Sequence, residues 1–138
     1  MLFPSKTKYR KQRKGKIRGL VKGGQSLILG SVGLLSLNRG FLTAKQIETA
    51  RIVLTRHVKR GGKVLIRIFP DKPLTKKPAE VRMGKGKGTV STWVAVIKPG
   101  CILYEISGID EKLAIEALHL AGNKLPLQTK IIRNLVEF

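Results

Sequence analysis

The chain has 138 residues, of which 42% are hydrophobic and 26% are charged, so it suits one globular domain and not a disordered chain. Its 28 Lys and Arg residues against 8 Asp and Glu give a net charge of +20, which repels itself in a compact state and indicates a polyanionic partner such as nucleic acid. One Cys and two scattered His exclude an internal disulfide and a zinc-ligand pattern, the few acids suggest no catalytic pair, and no uncharged stretch is long enough to span a membrane.

The positive charge is concentrated at the beginning of the chain. Residues 1–99 carry 24 of the Lys and Arg residues and only 3 acids, whereas residues 100–138 are nearly neutral. Residues 1–22 hold nine Lys or Arg and no acid, so they cannot build a core and should be extended unless a partner holds them. We therefore predict an N-terminal tail (residues 1–22) that binds phosphate, followed by one domain (23–138), with Tyr9 placed to stack on a base or to pack on a sugar. The alternative is a solvated, disordered tail.

Residues 26–37 predict two short strands, with Gly30 and Gly33 marking a bulge or a close approach of two backbones. Residues 43–60 form the clearest helix, in which Thr43 and Gln46 provide a capping box and Gly61-Gly62 a left-handed stop. Its packed face carries Ile47, Ala50, Leu54 and Val58.

The opposite side of this helix presents cations, and only Glu48 offers them an acid at helical spacing. We interpret that side as a phosphate-contacting face, and a solvated basic face is the alternative. The cations are Lys45, Arg56, Lys59 and Arg60.

Residues 63–69 predict a strand whose apolar run is interrupted by Arg67. Either that face of the strand is not wholly buried, or the Arg67 guanidinium is paired. PDKP at 70–73 predicts a turn.

Residues 82–88, RMGKGKG, alternate Gly with Lys and match neither a P-loop nor the dinucleotide fingerprint. We interpret this glycine–lysine loop as a phosphate cradle whose backbone a partner approaches closely. A flexible hairpin tip is the alternative.

Two β-branched and aromatic runs, 89–97 and 101–107, are joined by a Lys-Pro-Gly turn and predict a hairpin. We interpret Trp93 and Tyr104 on these runs as core or sheet-face residues in preference to ligands of bases, and Cys101 as a small core residue.

A second helix is predicted over 110–122, with Asp110 as its N-cap and Gly122-Asn123 at its end. A last strand is predicted from about Thr129 to Val136.

The chain closely resembles the universal large-subunit ribosomal protein L-sixteen family of bacteria, mitochondria and plastids, over nearly its whole length. The combination of RIFPDKP and RMGKGKG is specific for that family. Further segments support the resemblance: MLFPSKTKYRKQRKGK, LTAKQIETAR, TRHVKRGGK, KPAEVRMGKGKG, WVAVIKPG, LYEISG and KLPLQTK. The SLILGSVGLLSL segment departs from the family pattern, in which an aromatic residue precedes glycine.

The resemblance implies an α+β fold of the alpha/beta-hammerhead type, with two helices packed on a mixed or antiparallel sheet and an extended basic tail. It implies a structural, non-enzymatic part of the large ribosomal subunit that binds large-subunit rRNA near the aminoacyl-tRNA site and supports subunit assembly and tRNA accommodation. The expected partners are large-subunit rRNA, the tRNA acceptor arm and neighbouring large-subunit proteins, with no cofactor, metal, membrane or homo-oligomer.

The residues expected to contact rRNA combine the resemblance with the charge pattern. They are Lys6, Lys8, Tyr9, Arg10, Lys11, Arg13, Lys14, Lys16, Arg18, Lys45, Arg51, Arg56, Lys59, Arg60, Arg67 and Lys72. The resemblance places the glycine–lysine loop nearest the tRNA and the peptidyl-transferase region, through Arg82, Met83, Gly84, Lys85, Gly86, Lys87 and Gly88. The expected location is a bacterial-type ribosome of a bacterium or organelle, with a lean toward a mitochondrion. The alternative from another class is a cationic protein that coats any polyanion or anionic membrane.

Overall fold

The fold contains two helices and seven strands in the part of the chain that the computed structural model describes, which is residues 2–21, 26–28, 30–59, 61–77, 84 and 86–133. The elements are β1 (Val32–Ser36), β2 (Gly40–Thr43), α1 (Ala44–Val58), β3 (Lys63–Ile66), β4 (Lys72–Lys76), β5 (Thr89–Ile97), β6 (Ile102–Ser107), α2 (Glu111–Gly122) and β7 (Thr129–Arg133). This arrangement confirms the predicted α+β class.

Helix α1 begins with the predicted capping box. The Thr43 hydroxyl accepts a hydrogen bond from the Gln46 N–H, and the Gln46 side chain accepts one from the Thr43 N–H. The predicted apolar face is buried, at Ile47, Ala50, Leu54 and Val58. The predicted left-handed stop at Gly61-Gly62 is wrong, because Lys59 is the residue with a positive φ, of 59°, and its N–H donates to Thr55.

The strands form two antiparallel sheets. One has four strands in the order β3-β6-β1-β7, and the other has three in the order β2-β5-β4. The predicted hairpin of β5 with β6 is therefore wrong. The Cys101 N–H closes the expected turn on the Lys98 carbonyl, but Cys101 and Gly100 then form hydrogen bonds with Ser36, which lead the chain to β1.

Three other predicted features differ in detail. Residues 26–28 and 30 lie in no strand, although Gly30 closely approaches β6, since an added Cβ would lie 2.9 Å from the Ile106 carbonyl oxygen. Strand β3 ends at Ile66. The predicted turn at 70–73 is only half right, because Lys72 and Pro73 already belong to β4, an edge strand in which a missing N–H is tolerated.

The core lies between the two helices and the sheets. Tyr104 of β6 is fully buried, as predicted, and its hydroxyl donates to the Ile47 carbonyl of α1 at 2.8 Å. Cys101 lies half-buried at the edge of this core. Helix α2 ends at Gly122 as predicted, although Asp110 makes no side-chain cap hydrogen bond. The last strand is followed to Arg133, and its predicted continuation to Val136 lies outside the described residues.

Candidate nucleic-acid interface

The tail runs along the domain without a helix or strand in residues 2–21. Tyr9 is 64% exposed, and the Lys8 ammonium lies 5.8 Å from the centre of its ring. All the tail cations predicted to bind rRNA are exposed, namely Lys6, Lys8, Arg10, Lys11, Arg13, Lys14, Lys16 and Arg18. None of these eight forms an ion pair with an acidic residue in the described part of the chain, so their charge faces solvent.

Cations of the domain hold the tail by its backbone. The Lys72 ammonium donates to the Lys14 carbonyl and lies 5.4 Å from the centre of the Phe41 ring. The Arg39 guanidinium donates to the Ile17 carbonyl at 3.2 Å. Because these bonds use main-chain oxygens of the tail, the Lys14 ammonium remains free to meet an anion. Arg39 was not among the predicted site residues, since no local pattern shows which cation reaches a carbonyl far along the chain.

A reciprocal pair of hydrogen bonds joins the tail to the glycine–lysine loop. The Lys11 ammonium donates to the Lys87 carbonyl at 2.9 Å, and the Lys87 ammonium donates to the Gln12 carbonyl at 2.6 Å. The Lys77 ammonium in turn donates to the Gly84 carbonyl at 2.7 Å. We call the Lys11–Lys87 and Lys87–Gln12 bonds the clasp. The structure therefore brings together two segments that the sequence predicted separately.

Glycine is required in the loop for two different reasons. Gly84 and Gly86 have φ values of 109° and 88°, which side chains rarely adopt. At Gly88, an added Cβ would lie 2.8 Å from the backbone of Lys76. The backbone thus approaches β4 closely at one end of the loop and is exposed at Gly84 and Gly86. Arg82, Met83 and Lys85 lie outside the described residues.

Helix α1 and its C-cap add exposed cations, as predicted, at Lys45, Arg56 and Lys59. Arg51 differs from these three, because its guanidinium is hydrogen-bonded to Glu48. This hydrogen bond is the main cause that lowers the pKa of Glu48 and raises the pKa of Arg51. Arg51 therefore presents less free charge than its neighbours. The predicted contact at Arg60 lies outside the described residues.

Arg67 points into the fold. Its side chain is only 13% exposed, and its guanidinium donates to the Ser26 carbonyl at 2.7 Å. The same nitrogen lies 4.0 Å from a carboxylate oxygen of the fully buried Glu105. Of the two alternatives predicted for Arg67, a partly exposed strand face or a paired guanidinium, the structure shows the paired guanidinium. Arg67 holds the segment before β1 on the sheet, which leaves it little freedom to contact an outside partner.

A cleft that was not predicted from the sequence lies between the start of the tail and the three-stranded sheet. It has a volume of about 440 Å³, and its lining includes Leu2, Phe3, Lys45 and Trp93. Phe3 is 61% exposed. An aromatic residue just before a run of cations was the only available signal, and it did not reveal Trp93, which is distant in sequence.

The acids of α2 have partners within the domain. Glu111 lies 3.0 Å from the Arg133 guanidinium, and Glu116 lies 3.5 Å from the His57 ring. Across the residues that the structure describes, no cluster of His, Cys, Asp and Glu could hold a metal ion. No described helix is long and apolar enough to cross a bilayer.

Comparisons with known proteins agree with the resemblance. The model of the family described as ribosomal protein L16p/L10e matches residues 4–132. The large ribosomal subunit protein uL16 of Thermus thermophilus is 56% identical over 133 residues, covering 96% of this chain and 94% of its own. The protein of the same name from Psychrobacter arcticus is 57% identical over 136 residues, covering 99% of both. Both relatives are bacterial, so the lean toward a mitochondrion is not supported. The chain belongs to the ribosomal protein L16p/L10e family, a family of ribosomal proteins and not of enzymes.

Proposed function

We propose that the protein is a structural constituent of the large subunit of a bacterial-type ribosome, where it binds large-subunit rRNA near the aminoacyl-tRNA site. The names of the two bacterial relatives support the subunit assignment. The main support for rRNA binding is the structure of the tail. Its carbonyls accept hydrogen bonds from Lys72, Lys87 and Arg39, while its own cations stay exposed.

The proposed mechanism is neutralisation of phosphate by a preordered chain. Each cation that meets a phosphate releases condensed counterions, which drives binding without reading the sequence of the RNA. The tail and the exposed cations of α1 supply this charge. Arg51 and Arg67 contribute less, because each has a carboxylate near it within the protein.

The glycine–lysine loop is the part that we propose lies toward the tRNA acceptor arm. The clasp supports a link between rRNA binding and loop position, because Lys11 and Lys87 hold the loop to the tail. A tail fixed on rRNA would thereby fix the Lys87 end of the loop. Gly84 and Gly86 have positive φ values, a conformation that favours glycine. Because glycine has no side chain, another chain can approach the backbone closely there. This role would support late subunit assembly and tRNA accommodation.

The salt dependence of binding to large subunits tests the proposal. We expect the variant Lys14→Ala/Lys16→Ala to bind more weakly and to flatten the slope of log affinity against log salt by roughly one unit for each lost phosphate contact. The matched control Lys112→Ala/Lys124→Ala removes the same charge from exposed positions in or just after α2 and should leave the slope unchanged. Equal slopes for the two variants, or failure of the wild type to co-sediment with large subunits, would contradict the proposal. Equal affinity for anionic vesicles would favour a general polyanion-coating protein instead.

A further inference from the structure

We infer that the cleft between the start of the tail and the three-stranded sheet receives one unpaired base of the RNA partner. The cleft is lined in part by Leu2, Phe3, Lys45, Thr92 and Trp93. The inference rests on the proposed function, because it names a subsite for the same partner. It differs from that function in chemistry, since it requires the flat face of a base in addition to phosphate charge.

The walls of the cleft suit a flat heterocycle. Phe3 is 61% exposed and Trp93 is half-buried, so both rings have surface that is not packed within the protein. Bases stack on aromatic side chains regardless of their identity, because every base has a π face. The volume of about 440 Å³ falls within the range of roughly 300 to 1,000 Å³ that is typical of small-ligand sites.

The rim of the cleft suits the phosphates beside such a base. Lys45 is exposed, and it pairs with no acid among the residues that the structure describes. The capping box of Thr43 and Gln46 already uses N–H groups at the start of α1, so the charge offered here is the Lys45 ammonium and not the helix end. Lys6 follows Phe3 closely in the tail and is also exposed. A lysine therefore lines an aromatic cleft, and a second exposed lysine follows Phe3 in the sequence; proteins that bind single strands combine the same two kinds of group.

Charge also decides against a second copy of this chain as the occupant. Another molecule would bring a further +20, and the repulsion between the two opposes docking. The bases of a duplex are paired and stacked on one another, so only an unpaired nucleotide can present its face to Phe3 and Trp93. The cleft thus fits a single-stranded loop or bulge of RNA.

Trp93 is the only tryptophan in the chain, so its fluorescence reports directly on the cleft. The full-length protein is titrated with a single-stranded oligoadenylate of about ten nucleotides, a length in the usual range for one binding module. A second oligomer of equal length has the same phosphates but abasic sugars. We expect the oligoadenylate to quench Trp93, and we expect the abasic oligomer to bind through charge without quenching.

The variant Phe3→Leu should bind oligoadenylate about tenfold more weakly, since one stacking contact is lost, with no change for the abasic oligomer. Phe69→Leu removes a 45% exposed ring elsewhere and serves as the matched control, with neither affinity changed. Equal quenching by both oligomers, no quenching by either, or an equal effect of Phe3→Leu on both would overturn the inference. Salt-dependent co-sedimentation with large subunits, measured in parallel, shows whether the proposed function survives that result.

Discussion

Arg67→Met should be among the most destabilising single substitutions of a cation in this protein. The Glu105 side chain is fully buried. One of its oxygens accepts from the Ile28 N–H at 2.7 Å and lies 4.0 Å from Arg67, and the other has no hydrogen-bond partner among the residues that the structure describes. Removing Arg67 takes away the nearby positive charge and leaves a buried carboxylate uncompensated. A cation that lies in solvent would have no such effect.

The magnitude follows from the burial of the two side chains. Breaking a buried ion pair on one side typically costs about 3 to 5 kcal/mol. Arg67 is 13% exposed and 4.0 Å from the carboxylate, so the lower end, about 3 kcal/mol, applies. For a domain of this size, 1 kcal/mol corresponds to about 3 to 5 °C in Tm, so we expect a fall of about 10 °C. Such a loss is a large part of the roughly 5 to 15 kcal/mol by which domains are stable.

Urea denaturation followed by circular dichroism measures this loss. Arg56→Met is the matched control, because Arg56 is exposed and has no ion pair with a described acid. Adding Glu105→Gln to Arg67→Met keeps an oxygen to accept from Ile28 but removes the stranded charge, so the double variant should be more stable than Arg67→Met alone. A cost of Arg67→Met no larger than that of Arg56→Met would refute the reasoning, as would a double variant that is less stable than the single one.

Two further predictions concern buried titratable groups. Burial raises the pKa of Tyr104 far above the value of about 10 in the unfolded chain, so the unfolded chain loses this proton first and stability should fall as pH rises above about 10. Tyr104→Phe loses one hydrogen bond and about 1 kcal/mol of stability at neutral pH. Between pH 9 and 11, its free energy of unfolding, measured by urea denaturation, should fall less than that of the wild type. Parallel plots of this free energy against pH for the two proteins would contradict the prediction. Burial also raises the pKa of the Cys101 thiol, so a disulfide reagent at neutral pH should modify the folded protein several-fold more slowly than the chain in urea, and equal rates would show that the thiol is open to solvent.

Features that depend on neighbouring residues could be predicted from the sequence. The capping box of α1 and its buried face were predicted correctly, because cap chemistry and helical spacing act over a few residues. The paired alternative for Arg67 could be stated in advance, because a guanidinium in an apolar strand has few other outcomes. The partner Glu105 could not, since it lies on a distant strand.

Features that depend on pairing between distant segments could not be predicted. The strands β5 and β6 look like a hairpin because a turn joins them, yet the chain after the turn bonds to Ser36 and enters another sheet. Strand β4 was hidden in a Lys- and Pro-rich stretch, since an edge strand needs less apolar pattern than a central one. The same limit applies to the interface: exposure of the tail cations was foreseeable, but the clasp was not.

The two uses of lysine in this protein explain how so basic a tail can lie along the domain before it meets RNA. Lys72 and Lys87 donate to carbonyls of the tail, which satisfies backbone groups that a tail without helix or strand leaves unpaired. The tail's own lysines are then the groups left without an anion. A partner that supplies phosphate therefore meets cations that are already placed. Binding then costs the tail less conformational entropy than it would if the tail were free. The domain stabilises the course of the tail, and the unbalanced charge of the tail is what makes a polyanion the fitting partner.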